Sequence, residues 1–224
     1  AGVVALPVRQ GRSTFLIDAP LEKIKGEVSE AKGEVRLDVN DLGRTRGEVS
    51  FRVTTLRTTT FGDAGDNAAQ SDHARNWLQV GSKSDAADRQ RYEWATFTVL
   101  AVELTVRSGD APTGTGSGPF VPRLADLPVE ADGSRLVRGK AIGDLSLHGV
   151  TRSHTLAFTA RVSGPAGAPT GLVLTTDRPF DLSLKDHAVA PRDEIGSLLA
   201  GALEKIGKKI SDRVQVSLEV KAGS

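Results

Sequence analysis

The sequence contains no cysteine and no methionine, and aromatic residues make up only 4% of its 224 residues. The absence of cysteine excludes disulfide bonds, thiol nucleophiles and zinc–thiolate sites, so we expect packing alone to stabilise the fold. Because translation begins at methionine, we also expect the chain to begin after a processing step. Signal cleavage on export is one explanation and trimming is the other, and trimming could equally have removed a lipid-bearing cysteine before Ala1.

The sequence also lacks an excess of charge of one sign and a long hydrophobic run. Its 29 Lys and Arg residues balance 28 Asp and Glu residues, for a net charge of +1. This balance provides no overall attraction for phosphate backbones, so we expect no nucleic-acid partner. No apolar run approaches the roughly 18 to 20 residues that a spanning helix needs. A hydrophobic content of 38% is nevertheless enough for a sizeable core.

Apolar and polar residues alternate with a period of two through most of the sequence, between turns rich in Gly, Asp, Asn and Pro. This pattern is typical of antiparallel strands with one buried face and predicts about eight or nine strands. A meander of this length must close into a barrel or fold into a sandwich to cover its edges. We predict an all-β fold, a single antiparallel lipocalin-like β-barrel of about eight strands, formed by residues 13–224 after an N-terminal segment at 1–12.

Two segments break the alternation. Residues 66–81 are poor in β-branched side chains and predict a short helical excursion that carries Trp77 and Leu78. Residues 193–209 space Ile and Leu as in an amphipathic helix. The first hypothesis for this C-terminal helix is that its apolar stripe packs on the barrel or covers an opening. The alternatives are transient contact with a membrane surface, with its lysines at anionic headgroups, and a homodimer contact.

The segment GDLSLHGVTRSHTLAF at 143–158 has one histidine on each side of a Gly-Val-Thr corner. If the turn occupies Gly149–Arg152, Leu147 pairs with His154, and the two histidines point to opposite faces of the sheet. This geometry disfavours a metal site or a reactive pair. We expect His148 to be exposed beside the turn and His154 to lie near the end of the inner face.

Other signatures of catalysis are absent from the sequence. It has no nucleophile elbow, phosphate-binding loop or dinucleotide-binding fingerprint, and His73 and His187 have no partner at metal-ligand spacing. We therefore predict that the protein is not an enzyme and needs no cofactor or metal. The rival hypothesis is a hydrolase or isomerase that uses His73 or His154 with a nearby acid. A third is a solid-core barrel that serves as a protein-interaction module.

Short motifs occur in this order: Ser13 with Phe15 and Ile17, LRTTT at 56–60, SDHARNWL at 71–78, ATFTV at 95–99 and the corner segment at 143–158. Taken together, they resemble the YceI-like, polyisoprenoid-binding family of bacterial proteins. The resemblance implies an extended, lipocalin-like barrel whose apolar interior holds a long isoprenoid, typically a quinone or a polyprenyl lipid, in the periplasm.

Together with this resemblance, the inner-face pattern predicts a periplasmic or secreted protein that sequesters or carries a long isoprenoid or similar apolar lipid. Burial of hydrocarbon contributes about 0.8 kcal/mol per CH₂, so apolar walls alone can supply affinity. The alternation by itself leaves open whether the same inward residues fill a solid core. The predicted ligand-binding residues are Phe15, Phe51, Phe61, Trp77, Leu78, Trp94, Phe97, Leu145, Leu147, His154, Leu156, Phe158 and Phe180.

Overall fold

The structure, a computed structural model, describes residues 2–18, 23–105, 122–190 and 212–224. Within these ranges the chain is mostly β-sheet, as the alternation predicts. The strands are β1 (Val3–Asp18), β2 (Lys23–Val28), β3 (Ala31–Asp38), β4 (Arg46–Arg52), β5 (Arg57–Thr58), β6 (Trp94–Leu104), β7 (Arg135–Leu147), β8 (Val150–Ser163), β9 (Gly171–Thr176), β10 (Phe180–Ser183) and β11 (Arg213–Gly223).

These strands form a closed, eight-stranded antiparallel β-barrel. Eleven segments fill eight positions because β2 and β3 both pair with β1, β9 and β10 both pair with β11, and β5 continues the position of β4. The barrel closes where β1 meets β11, with Phe15 opposite Val216. Closure covers the edges that an open meander would leave unpaired. The predicted fold class is confirmed.

Alternation of side chains along each strand separates the interior from the surface. On β8, Leu156, Phe158, Ala160 and Val162 are all buried, and the residues between them face outward. β1 is longer than the predicted strand at 13–17 because its pairing with β3 begins at Val3. The same alternation therefore builds the core and the walls of the interior.

Two helices interrupt the sheet between β5 and β6. They are α1 (Ala64–Trp77) and α2 (Ala86–Arg91). Asp63 caps α1 by accepting hydrogen bonds from the backbone N–H groups of Gly65 and Asp66 at 2.7 and 3.0 Å. The predicted helical excursion is confirmed, with its start two residues earlier. Neither helix in the described ranges is long and apolar enough to cross a membrane.

α1 is fastened to the short strand β5 by polar contacts. The Ser71 hydroxyl accepts a hydrogen bond from the Thr58 backbone N–H at 2.8 Å and donates one to the Asn67 carbonyl at 2.6 Å. This docking directs the carboxyl end of α1 toward the barrel interior. The C-terminal helix predicted at 193–209 lies outside the described residues.

Candidate ligand-binding interior

The barrel interior contains two apolar chambers. The first, which we call the wide chamber, has a volume of about 150 Å³, measured as the space open to the centre of a water-sized sphere. The second, which we call the narrow chamber, has a volume of about 90 Å³ by the same measure. A single buried water needs only about 10 to 15 Å³ by this measure. The interior is therefore not filled by its own side chains.

The walls of both chambers come from inward positions of many strands. Phe97 on β6 and Leu218 on β11 border both chambers and so mark the division between them. The wide chamber is lined by Ser13, Phe15, Ile17, Val28, Phe51, Val53, Leu56, Ala74, Trp77, Leu78, Ala95, Phe97, Leu145, Leu147, Phe180, Leu182, Leu184, Val189, Val214, Val216 and Leu218.

The narrow chamber is also apolar over most of its wall, and its described lining residues with polar side-chain atoms are Thr45, Arg46 and Thr176. The exposed guanidinium of Arg46 donates hydrogen bonds to the carbonyls of Thr45 and Gly43 at 2.8 and 3.3 Å. The lining is Val35, Leu37, Leu42, Thr45, Arg46, Gly47, Val49, Phe97, Val99, Val102, Val137, Ala141, Leu156, Phe158, Ala160, Val162, Leu172, Leu174, Thr176, Leu218 and Val220.

Most of the residues predicted to bind ligand face these chambers. Leu156 and Phe158 line the narrow chamber, and Phe97 borders both. The others that the structure brings together, all at the wide chamber, are Phe15, Phe51, Trp77, Leu78, Leu145, Leu147 and Phe180. Their role in binding stays a prediction.

Three predicted residues do not belong to the described lining of either chamber. Phe61 lies at the bend before α1. Trp94 lies under the Lys32 ammonium, whose Nζ is 3.9 Å from the ring centroid, in a cation–π contact. His154 lies against Phe180, with 5.8 Å between ring centroids.

Sequence reasoning missed the contribution of β11 to the site. Val214, Val216 and Leu218 face the wide chamber, and Val220 faces the narrow one. The signal was available in the alternation of RVQVSLEV at 213–220. What the alternation lacks is any sign that β11 meets β1 and lies across the chambers from β6.

The wide chamber contains almost no polar side chains. Ser13 and Trp77 are the only lining residues among those described whose side chains carry a polar atom. The indole N–H of Trp77 is buried and has no hydrogen-bond partner among the described residues. An unpaired buried donor is uncommon in folded proteins and lies here beside an apolar space.

The hairpin between β7 and β8 turns at His148 and Gly149, whose φ angles are 51° and 75°. Two-residue hairpin loops favour two left-handed residues, because their twist matches that of the strands. Leu147 consequently pairs with Val150, and the predicted turn at Gly149–Arg152 is wrong. The two registers differ by an even number of residues, so the residues predicted to point inward still do.

The prediction that His148 is exposed is also wrong, since the residue is only 7% exposed. Its Nε2 atom lies 2.7 Å from the Gln79 side-chain oxygen, and its Nδ1 atom lies 3.3 Å from the His187 carbonyl oxygen. The Tyr92 ring packs on the imidazole, with 4.3 Å between ring centroids. His148 therefore joins the hairpin turn to the helical excursion.

His154 pairs with Gly143, not with Leu147 as predicted. Its ring stacks on that of the fully buried His187, with 6.1 Å between centroids and 12° between planes. His187 donates from Nδ1 to the Val150 carbonyl at 2.9 Å. Burial, and to a smaller extent the nearby His187, lower the pKa of His154 below its ordinary value of 6.5.

The arrangement around these histidines gives little support to acid–base chemistry. No described carboxylate is hydrogen-bonded or ion-paired to His154, whose Nε2 atom is buried without a partner in the described ranges. The described residues also contain no group of three or more His, Asp or Glu side chains placed to hold a metal ion. The interior supplies apolar volume in place of reactive groups.

Comparisons with known proteins match this architecture. A polyisoprenoid binding domain from Saccharophagus degradans, implicated in plant cell wall breakdown, superposes with a TM-score of 0.54 at 14% identity, covering 98% of each chain. BcnA from Burkholderia cenocepacia superposes with a TM-score of 0.49 at 12% identity, and the match covers 95% of this chain and 96% of BcnA. The Campylobacter jejuni YCEI protein superposes with a TM-score of 0.45 at 16% identity, and the match covers 89% of this chain and 84% of that protein.

At 14% identity, the similarity to the Saccharophagus degradans domain shows a shared fold. No curated protein sequence matches the chain. The sequence of residues 9–222 matches the family model of the YceI-like domain, and this range includes nearly all of the barrel. The chain belongs to the YceI-like family.

Proposed function

We propose that this protein binds a long isoprenoid or similar apolar lipid inside its barrel and sequesters or carries it without catalysing a reaction. The observation that carries the proposal is the pair of apolar chambers along the interior, divided by Phe97 and Leu218. Solid packing, the main alternative for these residues, would leave no such space. The family and the fold shared with a polyisoprenoid binding domain support the same role.

The energetics favour a hydrocarbon chain as the occupant. Each buried CH₂ contributes about 0.8 kcal/mol, so a five-carbon isoprene unit contributes roughly 3 to 4 kcal/mol before the cost of ordering the chain. The chamber walls place aliphatic and aromatic carbon against such a chain over most of their surface. Affinity of this kind needs no reactive side chain, in agreement with a binding protein that is not an enzyme.

We place this activity in the periplasm or outside the cell, as the family resemblance in the sequence implies. Detection of the protein in the periplasmic or culture fraction of its host tests the location. Membrane-surface contact and a homodimer contact through residues 193–209 stay predictions, because that segment lies outside the described residues.

The test of the binding proposal is direct. We expect organic extraction of the purified protein to release a stoichiometric isoprenoid lipid, detected by mass spectrometry, or the lipid-free protein to take up a ubiquinone in a titration. Absence of both would contradict the proposal. Ala95→Phe, which fills part of the wide chamber, should reduce uptake at least tenfold.

A matched control separates filling of the chamber from the general effect of a larger side chain. Ala157→Phe makes the same change on the outer face of β8, because Ala157 lies between the inward Leu156 and Phe158. It should leave uptake within about twofold of the wild type. If Ala95→Phe does not fold, Ala141→Phe places the same ring in the narrow chamber.

A further inference from the structure

The wide chamber has one feature that a space for pure hydrocarbon does not need. Trp77, at the carboxyl end of α1, lines the chamber, and its Nε1–H group is buried without a partner among the described residues. A donor in this position gave up its hydrogen bond to water on folding and has no acceptor among the described residues in return. A ligand oxygen placed in the chamber would supply the missing acceptor.

We propose that Trp77 Nε1 donates a hydrogen bond to a single uncharged oxygen acceptor, such as a carbonyl, at the head of the apolar ligand. The inference rests on the proposed function and adds to it the chemical class of the head group and the residue that recognises it. Sites for apolar ligands commonly combine apolar walls with a few polar groups that fix the orientation of the ligand. Here the head lies beside Trp77 in the wide chamber, and the chain extends along the apolar walls of that chamber toward Phe97.

The absence of charge in the wide chamber selects against an anionic head. Every described residue of its lining is uncharged, and Ser13 is the only other one with a polar side-chain atom. A phosphate or carboxylate placed there would be buried without a counter-charge, which is strongly unfavourable. Among the described lining residues of the two chambers, the exposed Arg46 is the charged one, and it belongs to the narrow chamber. An anionic ligand would place its head there, in the opposite orientation.

Three probes with related isoprenoid tails separate these cases. Farnesylacetone carries one uncharged carbonyl, farnesene carries no oxygen, and farnesyl phosphate carries an anion. Each is titrated calorimetrically into the wild type and into Trp77→Phe, which keeps an aromatic ring but removes the N–H donor. We expect Trp77→Phe to weaken the binding of farnesylacetone about tenfold, equivalent to about 1.4 kcal/mol. The affinity for farnesene should stay within about twofold of the wild type.

Trp94→Phe is the matched control, because Trp94 lies outside the described lining of both chambers. This variant should bind all the probes as the wild type does. It also leaves Trp77 as the sole tryptophan, since the sequence has two. Farnesylacetone should then shift the Trp77 emission to longer wavelength than farnesene does, a measurement that keeps the Trp77 side chain intact.

The remaining outcomes are distinguishable. If Trp77→Phe weakens the binding of farnesylacetone and of farnesene equally, or if both probes shift the Trp77 emission equally, Trp77 serves only in packing. Either result would overturn the inference while the proposed function stands. Binding of farnesyl phosphate at least as tightly as farnesylacetone, with loss in Arg46→Gln, would overturn it in favour of an anionic head at the narrow chamber. Failure of all three probes and of ubiquinone to bind would overturn the proposed function itself.

Discussion

Nε2 of His148 and Oε1 of Gln79 lie 2.7 Å apart, although the two residues are 69 positions apart in the chain. Both residues have left-handed backbones, with φ of 51° and 59°. Gln79 Nε2 donates to the Asp88 carboxylate at 2.8 Å, which sets the orientation of the amide and leaves Oε1 as the acceptor from His148. Gln79 thus connects the β7–β8 turn, the end of α1 and α2.

Replacement of Gln79 should loosen this connection. Gln79→Ala removes the acceptor for His148 and the donor to Asp88, so we expect the free energy of unfolding to fall by about 1–2 kcal/mol. Urea denaturation measures the change. Gln90→Ala, on the exposed face of α2, is the control and should change stability little. Equal stabilities for the two variants would show that the connection contributes nothing.

Asp72 should stabilise the segment that follows α1. Its carboxylate accepts from the Ser82 backbone N–H at 2.9 Å and from the Ser82 hydroxyl, and from Asn76 Nδ2 at 3.2 Å. Burial raises the pKa of Asp72, but the Ser82 hydrogen bonds, the nearby Arg75 and the Asn76 contact together bring it below its ordinary value. The charged form is therefore the one that the fold favours.

Asp72→Asn replaces one of the two carboxylate oxygens that accept these three hydrogen bonds with an N–H₂ group, and we expect it to reduce the free energy of unfolding by about 1–2 kcal/mol. Thermal denaturation followed by circular dichroism provides the measurement. Asp66→Asn makes the same change at an exposed position near the start of the same helix. A loss as large in Asp66→Asn as in Asp72→Asn would refute the role assigned to the Ser82 contacts.

Phe97 should limit the length of chain that the interior accepts without rearrangement. A ligand that extends from one chamber into the other must pass the division at Phe97 and Leu218. For ubiquinones of increasing chain length, we expect wild-type affinity to rise until one chamber is filled and then to level off. In Phe97→Ala the rise should continue, because the smaller side chain joins the chambers.

Val99→Ala is the control for this series, because Val99 lies on the same strand and lines the narrow chamber alone. It should keep the wild-type dependence on chain length. Removal of a buried Phe side chain costs about 3–5 kcal/mol, so Phe97→Leu is measured in parallel as a milder change. A chain-length dependence that is the same in all four proteins would count against Phe97 as a barrier.

His154 should make stability depend on pH in the mildly acidic range. Because burial lowers the pKa of His154 in the folded state, the unfolded chain takes up a proton first as the pH falls below about 6.5. The free energy of unfolding should therefore decrease below this pH and level off once the folded state is also protonated. Above it, His154 is neutral in both states and contributes no slope.

The measurement is urea denaturation of the wild type and of His154→Gln between pH 8 and pH 5. The variant should lose this part of the pH dependence. His73→Gln, which keeps the imidazole at position 154, should retain it. Identical slopes for the wild type and His154→Gln would show that the lowered pKa of His154 has no consequence for folding.

The β7–β8 hairpin shows how far sequence reasoning reaches. Alternation correctly assigned Leu145, Leu147 and Leu156 to the interior, since a strand directs every second side chain to the same face whatever its register. It did not place the turn, because pairings that differ by an even number of residues satisfy the same burial pattern. The left-handed geometry of His148 and Gly149 selects between them.

The sequence by itself determined the two faces of each strand, the helical excursion and, through its motifs, the family. Only the tertiary structure decided that inward residues leave chambers unfilled, that Phe97 and Leu218 border both of them, and that the Trp77 N–H has no described partner. Periodicity reports the direction of a side chain. Whether atoms from distant strands fill the space it points into depends on barrel closure, which brings together residues far apart in the chain.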